Sequence, residues 1–136
     1  MSTIAFRLDH RSGLSTYLQL ALQVRQGIRL GRLRPGDQLP SVREVVARLA
    51  INPNTVLKAY RELEAQGVVA SRPGTGTFVR PDLASVAPAA DSGLRGDLAR
   101  WVAGARTAGL DNDDMRALLE DLLHETIATS AGAVSR

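Results

Sequence analysis

Residues 39–79 read LPSVREVVARLAINPNTVLKAYRELEAQGVVASRPGTGTFV and contain two helix starts in quick succession. Ser41 is followed three residues later by a glutamate, which is the spacing of a capping box. Asn52 is followed by a proline, and an N-cap residue with proline at the first helical position is a second start signal. The stretch therefore predicts a helix over 41–49 and a longer helix over 53–66, joined by a short connector.

The sequence after the second helix has the pattern of a β-hairpin. Gly67 is a usual helix stop. Two β-prone runs, at 68–71 and 77–79, flank the glycine-rich turn sequence RPGTG. A helix, a turn, a second helix and a hairpin in this order predict a winged helix-turn-helix, in which the hairpin is the wing.

The second helix has an apolar face and a polar face. Its apolar residues recur at the spacing of a helical stripe, at Val56, Ala59, Tyr60 and Leu63. The polar face begins at the N-terminal end, where a recognition helix enters the major groove and where amides, hydroxyls and a lysine can reach base edges or phosphate. The predicted DNA-contacting residues here are Asn52, Asn54, Thr55 and Lys58. The alternative is that the first asparagine only caps the helix and that the others form a solvated face.

The segment before this stretch predicts a structural helix of the same domain. We expect this helix to begin at residue 15 or 16 and to end near residue 30. Residues 6–9 are expected to form a short extended piece that covers the helical core. Its predicted inward face contains Tyr17, Ala21, Val24 and Ile28, broadened by Leu18, Leu20 and Leu22.

These residues resemble the DNA-binding domain of the GntR family of bacterial transcription regulators. The resemblance runs from about residue 17 to residue 79 and lies in four motifs: LPSxRE at 39–44, NPNTV at 52–56, AYxxLExxG at 59–67 and GxGTFV at 74–79. The NPNT sequence and the short C-terminal part resemble the YtrA-type subfamily. The resemblance implies that the protein regulates transcription by binding DNA.

The resemblance also implies which residues contact DNA. Besides the start of the third helix, an arginine early in the second helix and the wing glycine contact DNA in the family. The arginine corresponds to Arg43, for which the alternative is an ion pair with Glu44 or a neighbour. The predicted wing contacts are Arg72, Gly74, Thr75 and Gly76. The alternative there is that the glycines only turn the hairpin. Some members carry arginine where this chain has Pro53 and Leu57, so the operator sequence does not follow from the resemblance.

The residues after the winged domain predict a linker and two helices. Residues 81–93 are rich in Pro, Ala and Ser, which indicates a linker between a DNA-binding domain at 1–80 and a helical region at 94–136. Two amphipathic patterns follow, with Asp111 or Asn112 capping the second, and such helices cannot bury their apolar faces alone. We therefore predict that this region forms a homodimer. The predicted dimerisation residues are Leu98, Trp101, Val102, Met115, Leu118, Leu119 and Leu122.

Charge separates the two halves of the chain. Residues 1–80 carry twelve Lys or Arg against five Asp or Glu, a net charge of +7. Residues 81–136 carry five against nine, a net charge of −4. A basic half favours a polyanionic partner and an acidic half does not, so the predicted nucleic-acid contact belongs to the winged domain.

The inventory of reactive side chains disfavours an enzyme. The chain has no cysteine, and its two histidines lie in unrelated segments. The acidic residues between 111 and 125 lack the spacing of a recognised metal-binding loop, so we expect neither a metal nor a cofactor. No apolar run approaches the ~20 residues of a membrane span, and the N-terminus has no signal-peptide pattern. We therefore expect a cytoplasmic protein without membrane contact.

Together these features predict a mainly α protein with a small β-hairpin wing, formed by a winged helix-turn-helix domain and a C-terminal two-helix dimerisation segment. Its predicted function is sequence-specific regulation of transcription, as a repressor that binds an inverted repeat of double-stranded DNA as a homodimer. The alternative is an architectural or protein-interaction module without operator specificity. The sequence does not identify a small-molecule effector.

Overall fold

The computed structural model describes residues 4–82 and 93–134, with side chains as far as residue 125. The chain divides into two compact units, Met1–Ala90 and Asp91–Arg136. The elements in chain order are α1 (Thr16–Arg29), α2 (Val42–Leu49), α3 (Pro53–Ala65), β1 (Val69–Arg72), β2 (Gly76–Val79), α4 (Leu94–Thr107) and α5 (Asn112–Val134). This order confirms the predicted winged helix-turn-helix followed by two helices. Most of the predicted linker, residues 83–92, lies outside the described part.

Both predicted helix starts of the helix-turn-helix are confirmed by their hydrogen bonds. The Ser41 hydroxyl accepts from the Glu44 backbone N–H at 3.1 Å, and the glutamate Oε1 accepts from the serine N–H at 3.3 Å, which completes a capping box. Asn52 Oδ1 accepts from the backbone N–H of Asn54 at 2.8 Å at the start of α3. Between the helices Ala50 adopts the left-handed conformation, with φ of 54°, which makes the turn tight.

The core of the first unit lies between α1, α2, α3 and the hairpin. Its fully buried large side chains are Leu20, Val24, Leu33, Leu39, Val56, Leu63, Val69 and Val79. The stripe predicted on α3 is confirmed, since all four of its members are buried. The prediction for α1 was too wide: Leu18 and Leu22 are 38% and 43% exposed. They lie one turn apart at the margin of the buried face, where they line a shallow cavity with Glu62 of α3 and Gln66 at its C-terminal end. A buried stripe spans only about a third of a helix surface, so residues at its margin stay partly exposed.

The N-terminal segment covers the core as predicted and buries Phe6 in it. Two α1 glutamines hold its backbone. Gln23 accepts from the Arg7 N–H at 2.9 Å and donates to the Arg7 carbonyl at 2.6 Å. Gln19 makes the same pair of bonds with Asp9, at 2.8 and 3.0 Å. The two side chains therefore satisfy an extended backbone as a neighbouring strand would.

The hairpin begins one residue later than the sequence pattern predicts. Gly67 and Val68 donate to the carbonyls of Glu64 and Leu63, both at 3.0 Å, in a Schellman arrangement that ends α3. The N–H of Val68 is thus used by the helix end, while its carbonyl accepts from the Arg80 N–H at 3.1 Å. The strands pair antiparallel from Val69 with Val79 to Arg72 with Gly76.

The second unit contains α4 and α5. The turn between them is closed by bonds from Gly109 to Arg106 and from Leu110 to Ala105, both at 3.0 Å. Asp111 is the cap of α5: its Oδ1 accepts from the Asp114 N–H at 2.8 Å, and Asp114 Oδ2 accepts from the Asp111 N–H at 3.0 Å. No helix within the described ranges is long and apolar enough to cross a membrane.

Candidate nucleic-acid interface

The N-terminal end of α3 presents its polar side chains to the surface. Asn52, Asn54 and Lys58 are exposed, and Thr55 is half-buried. The Oδ1 atom of Asn52 is engaged in the helix cap that the sequence predicts. Its amide N–H groups are not part of that bond, so a DNA contact by this residue stays a prediction for its donor side only.

Lys58 is held by a contact that the sequence did not indicate. Its Nζ lies 4.0 Å from the centre of the Tyr17 ring, which α1 supplies. An ammonium over a tyrosine face is attracted by the ring quadrupole. Tyr17 is half-buried and packs against the core, so α1 supplies a ring that the exposed Lys58 ammonium contacts.

Arg43 is exposed on the first turn of α2. The ion pair with Glu44, which was the alternative for this residue, does not form: the ion pairs among the described residues all involve other arginines. The Glu44 carboxylate instead accepts the backbone N–H of the helix cap. The guanidinium of Arg43 is consequently available to a phosphate or a base edge.

The wing carries one cation and a turn of unusual backbone. Arg72 lies with its guanidinium carbon 4.9 Å from the centre of the Phe78 ring, across the hairpin. Gly74 and Gly76 have φ of 75° and 138°, conformations that L side chains rarely adopt. An added Cβ at Gly74 would meet nothing within 4 Å. Glycine is therefore favoured at this position by its positive φ and not by a close neighbour.

Two hydrogen bonds join α3 to the neighbouring elements, one to the segment before α2 and one to β1. The buried Tyr60 hydroxyl donates to the Pro40 carbonyl at 2.6 Å, just before α2. Burial, with a smaller contribution from the Glu44 carboxylate, raises the pKa of Tyr60 above its ordinary value, so this donor keeps its proton. Glu64 Oε2 accepts from the Ser71 backbone N–H at 2.9 Å, which ties the end of α3 to β1.

The residues predicted to form a dimer differ in exposure. Leu98, Trp101, Leu118, Leu119 and Leu122 are between 37% and 51% exposed. Val102 is half-buried. Met115 is only 7% exposed, so it is already buried in one chain and has little surface to offer a second.

The side chains predicted to contact DNA are polar or basic. They comprise two amides and a hydroxyl at the start of α3 and three cations, Arg43, Lys58 and Arg72, and such groups recognise bases and phosphates. The described residues contain no group of three or more His, Asp or Glu that could hold a metal ion.

Comparison with known proteins identifies this arrangement. The family described as "Bacterial regulatory proteins, gntR family" matches residues 16–79. The transcriptional regulator Rv1152 of Mycobacterium tuberculosis is 39% identical over 111 residues, which are 79% of this chain and 85% of that protein. The transcriptional repressor YtrA of Bacillus subtilis is 42% identical over 73 residues, or 54% of this chain and 56% of that protein.

Two solved structures extend the likeness to both units of the chain. A transcriptional regulator from Oenococcus oeni is 37% identical with a TM-score of 0.52, and the match covers 85% of this chain and 97% of that one. The GntR-family transcription factor YtrA from Sulfolobus acidocaldarius is 28% identical with a TM-score of 0.52, covering 88% and 97%. The chain belongs to the GntR family of bacterial regulators and is a DNA-binding regulator of transcription.

Proposed function

We propose that the protein is a cytoplasmic repressor that binds an inverted-repeat operator as a homodimer. Two observations carry the DNA contact: the polar end of α3 is exposed, and Arg43 on α2 is exposed with no ion-pair partner among the described residues. The name of the Bacillus subtilis repressor, 42% identical over 73 residues, supports repression.

Each element has a distinct part in this proposal. The N-terminal end of α3 enters the major groove, where Asn54 and Thr55 reach base edges and Lys58 reaches phosphate or guanine. Arg43 contacts a phosphate or a base edge at the rim of the same groove. The wing contacts the backbone or the minor groove through Arg72 and through the N–H groups of residues 74–76.

The second unit supplies the proposed dimer contact. Four of its leucines and its tryptophan among the predicted dimerisation residues are between 37% and 51% exposed, and apolar side chains grouped on a surface mark interaction sites. Burying a fully exposed leucine is worth on the order of 1.5–3 kcal/mol, and roughly half of that remains to be gained at each of these side chains, so several of them can offset the cost of association. A dimer places two recognition helices about 34–36 Å apart, one turn of DNA, and makes the second half-site contact local.

The readout is tested with full-length protein and DNA selected by it, including the promoter upstream of its own gene. We expect Arg43→Ala and Asn54→Ala each to weaken binding to the selected site by about 1–3 kcal/mol if they touch base edges. Glu120→Ala, an exposed residue of α5, is the control and should bind like the parent. Parent-like affinity of both interface variants at equal salt would contradict the assignment.

The dimer is tested by charge substitution on α5. Leu119→Asp combined with Leu122→Asp places carboxylates in the proposed seam and should convert the protein to a monomer in sedimentation. The same variant should lose most operator affinity in a gel shift while keeping weak, salt-sensitive binding. Leu22→Asp, a comparably exposed leucine on α1, is the control and should remain a dimer. A doubly substituted protein that still sediments as a dimer would show that the seam lies elsewhere.

A further inference from the structure

The wing tip is held by a side chain from outside the hairpin. Gln38 Nε2 donates to the carbonyl oxygen of Thr75 at 3.1 Å. The same nitrogen would lie 2.5 Å from a Cβ added at Gly76, so the amide is packed directly against the tip. Within the described residues this is the side chain that hydrogen-bonds the turn at 73–76, which otherwise has a 3.0 Å backbone bond from Thr75 to Arg72.

The segment that carries Gln38 acts as a third strand beside the wing. Gly36 donates to the Val79 carbonyl at 2.9 Å, Val79 donates to Asp37 at 2.8 Å, and Leu39 donates to Thr77 at 2.8 Å. Gln38 itself is paired with Phe78 in a β-bridge. The wing is therefore attached through residues 77–79 of its second strand to the segment that precedes α2.

This segment also connects the wing to both helices of the helix-turn-helix. Directly after it, the carbonyl of Pro40 accepts the Tyr60 hydroxyl from α3, and Ser41 caps α2. The segment that carries Gln38 is thus hydrogen-bonded to the wing and to α3, and it leads directly into the cap of α2.

We propose that Gln38 is the positioning residue of the wing, and that its amide holds the tip in the orientation in which Arg72 and the tip backbone contact DNA. The inference rests on the proposed contact between the wing and DNA. Two glycines give the tip conformational freedom that the amide removes before binding. Without the amide, the tip must be ordered when DNA binds, and that ordering costs affinity.

The test uses the full chain with Gln38→Ala and with Gln38→Met, which keeps the length of the side chain and removes the donor. Gln26→Ala, an exposed glutamine of α1, is the control. In the free protein we expect the backbone amide heteronuclear NOE of residues 74–76 to fall in both Gln38 variants and to stay unchanged in the control, with the melting temperature unaltered. Unchanged order of the tip in both variants would overturn the inference.

The second readout is a double-mutant cycle on DNA with Arg72→Ala. Gln38→Ala alone should weaken operator binding about fivefold to thirtyfold, the factor associated with ordering one residue of backbone. In the Arg72→Ala background the same substitution should cost much less, because the wing contact is already impaired.

The outcomes separate this inference from the proposed function. If Arg72→Ala weakens binding and Gln38→Ala does not, the wing contacts DNA without help from Gln38 and the inference is wrong. If the two losses simply add, Gln38 acts on DNA by another route, and the inference is again wrong. If Arg72→Ala itself has no effect, the proposed wing contact fails and this inference fails with it.

Discussion

The contact between Tyr17 and Lys58 predicts that a residue of α1 contributes to DNA affinity without touching DNA. The Lys58 ammonium lies 4.0 Å from the ring centre and is exposed to solvent. An exposed cation–π contact is worth about 0.5–1 kcal/mol. If the ring directs the ammonium toward DNA before binding, loss of the ring should lower affinity by about twofold to fivefold for each recognition helix.

The assay is fluorescence anisotropy with the selected operator at several salt concentrations. Tyr17→Phe keeps the aromatic face and should bind like the parent, whereas Tyr17→Leu should bind more weakly. Lys58→Met should reduce the slope of log affinity against log salt by about one for each half-site if the lysine contacts phosphate. In the Lys58→Met background, Tyr17→Leu should have almost no further effect.

The double variant distinguishes positioning from packing. Tyr17 also packs against the edge of the core, so Tyr17→Leu can destabilise the domain whatever Lys58 does. Stability is therefore measured by urea unfolding for every variant, and DNA is titrated where all are folded. If the two substitutions reduce affinity additively, the ring does not act through the lysine and this reasoning is refuted.

Three further predictions concern stability. Leu63→Ala should lower the free energy of unfolding by about 2–5 kcal/mol in urea, because the side chain is fully buried. Tyr60→Phe leaves the Pro40 carbonyl without its donor and should cost about 1–3 kcal/mol. Because the folded pKa of Tyr60 is raised above 10.0, the parent should lose stability as the pH rises above 10.0, and this loss should be smaller in Tyr60→Phe. The hydrogen bond from the Asp114 backbone N–H lowers the pKa of Asp111 below 3.8, so the α5 cap should persist above pH 3.8 and weaken as the pH falls through the lowered value. The helix signal in circular dichroism should depend less on pH in Asp111→Asn than in the parent.

The parts of the fold that the sequence predicts well are specified by neighbouring residues. A capping box, an N-cap followed by proline and a glycine helix stop are each complete within a few positions, and the two helices of the helix-turn-helix begin where these signals stand. The start of β1 was misplaced because the Schellman bonds of Gly67 and Val68 compete with strand pairing for the same backbone groups.

The exposure of the α1 leucines illustrates a different limit. Leu18, Leu20 and Leu22 are equally apolar, but only Leu20 faces the core. Periodicity fixes the width of a stripe, whereas its centre depends on which neighbouring elements pack against the helix. The periodicity of α1 alone therefore does not show which leucines are buried, because that depends on how α3 and the N-terminal segment pack against the helix.

The contacts that support the predicted DNA-binding residues join parts of the chain that are far apart in sequence, and no short motif marks the side chains that make them. Gln38 reaches a carbonyl 37 residues away, and Tyr17 meets a lysine on another helix. Neither residue is among the predicted DNA contacts, yet each is positioned beside a residue that is, Thr75 for Gln38 and Lys58 for Tyr17. A sequence pattern can identify side chains that are able to contact DNA, because their residue type and their place in a short motif are enough to predict this. The residues that hold those side chains in position can be identified only from the packing of α1, the segment before α2 and the wing. Variants at Tyr17 and Gln38 therefore test the positioning of the DNA-contacting side chains without removing those side chains themselves.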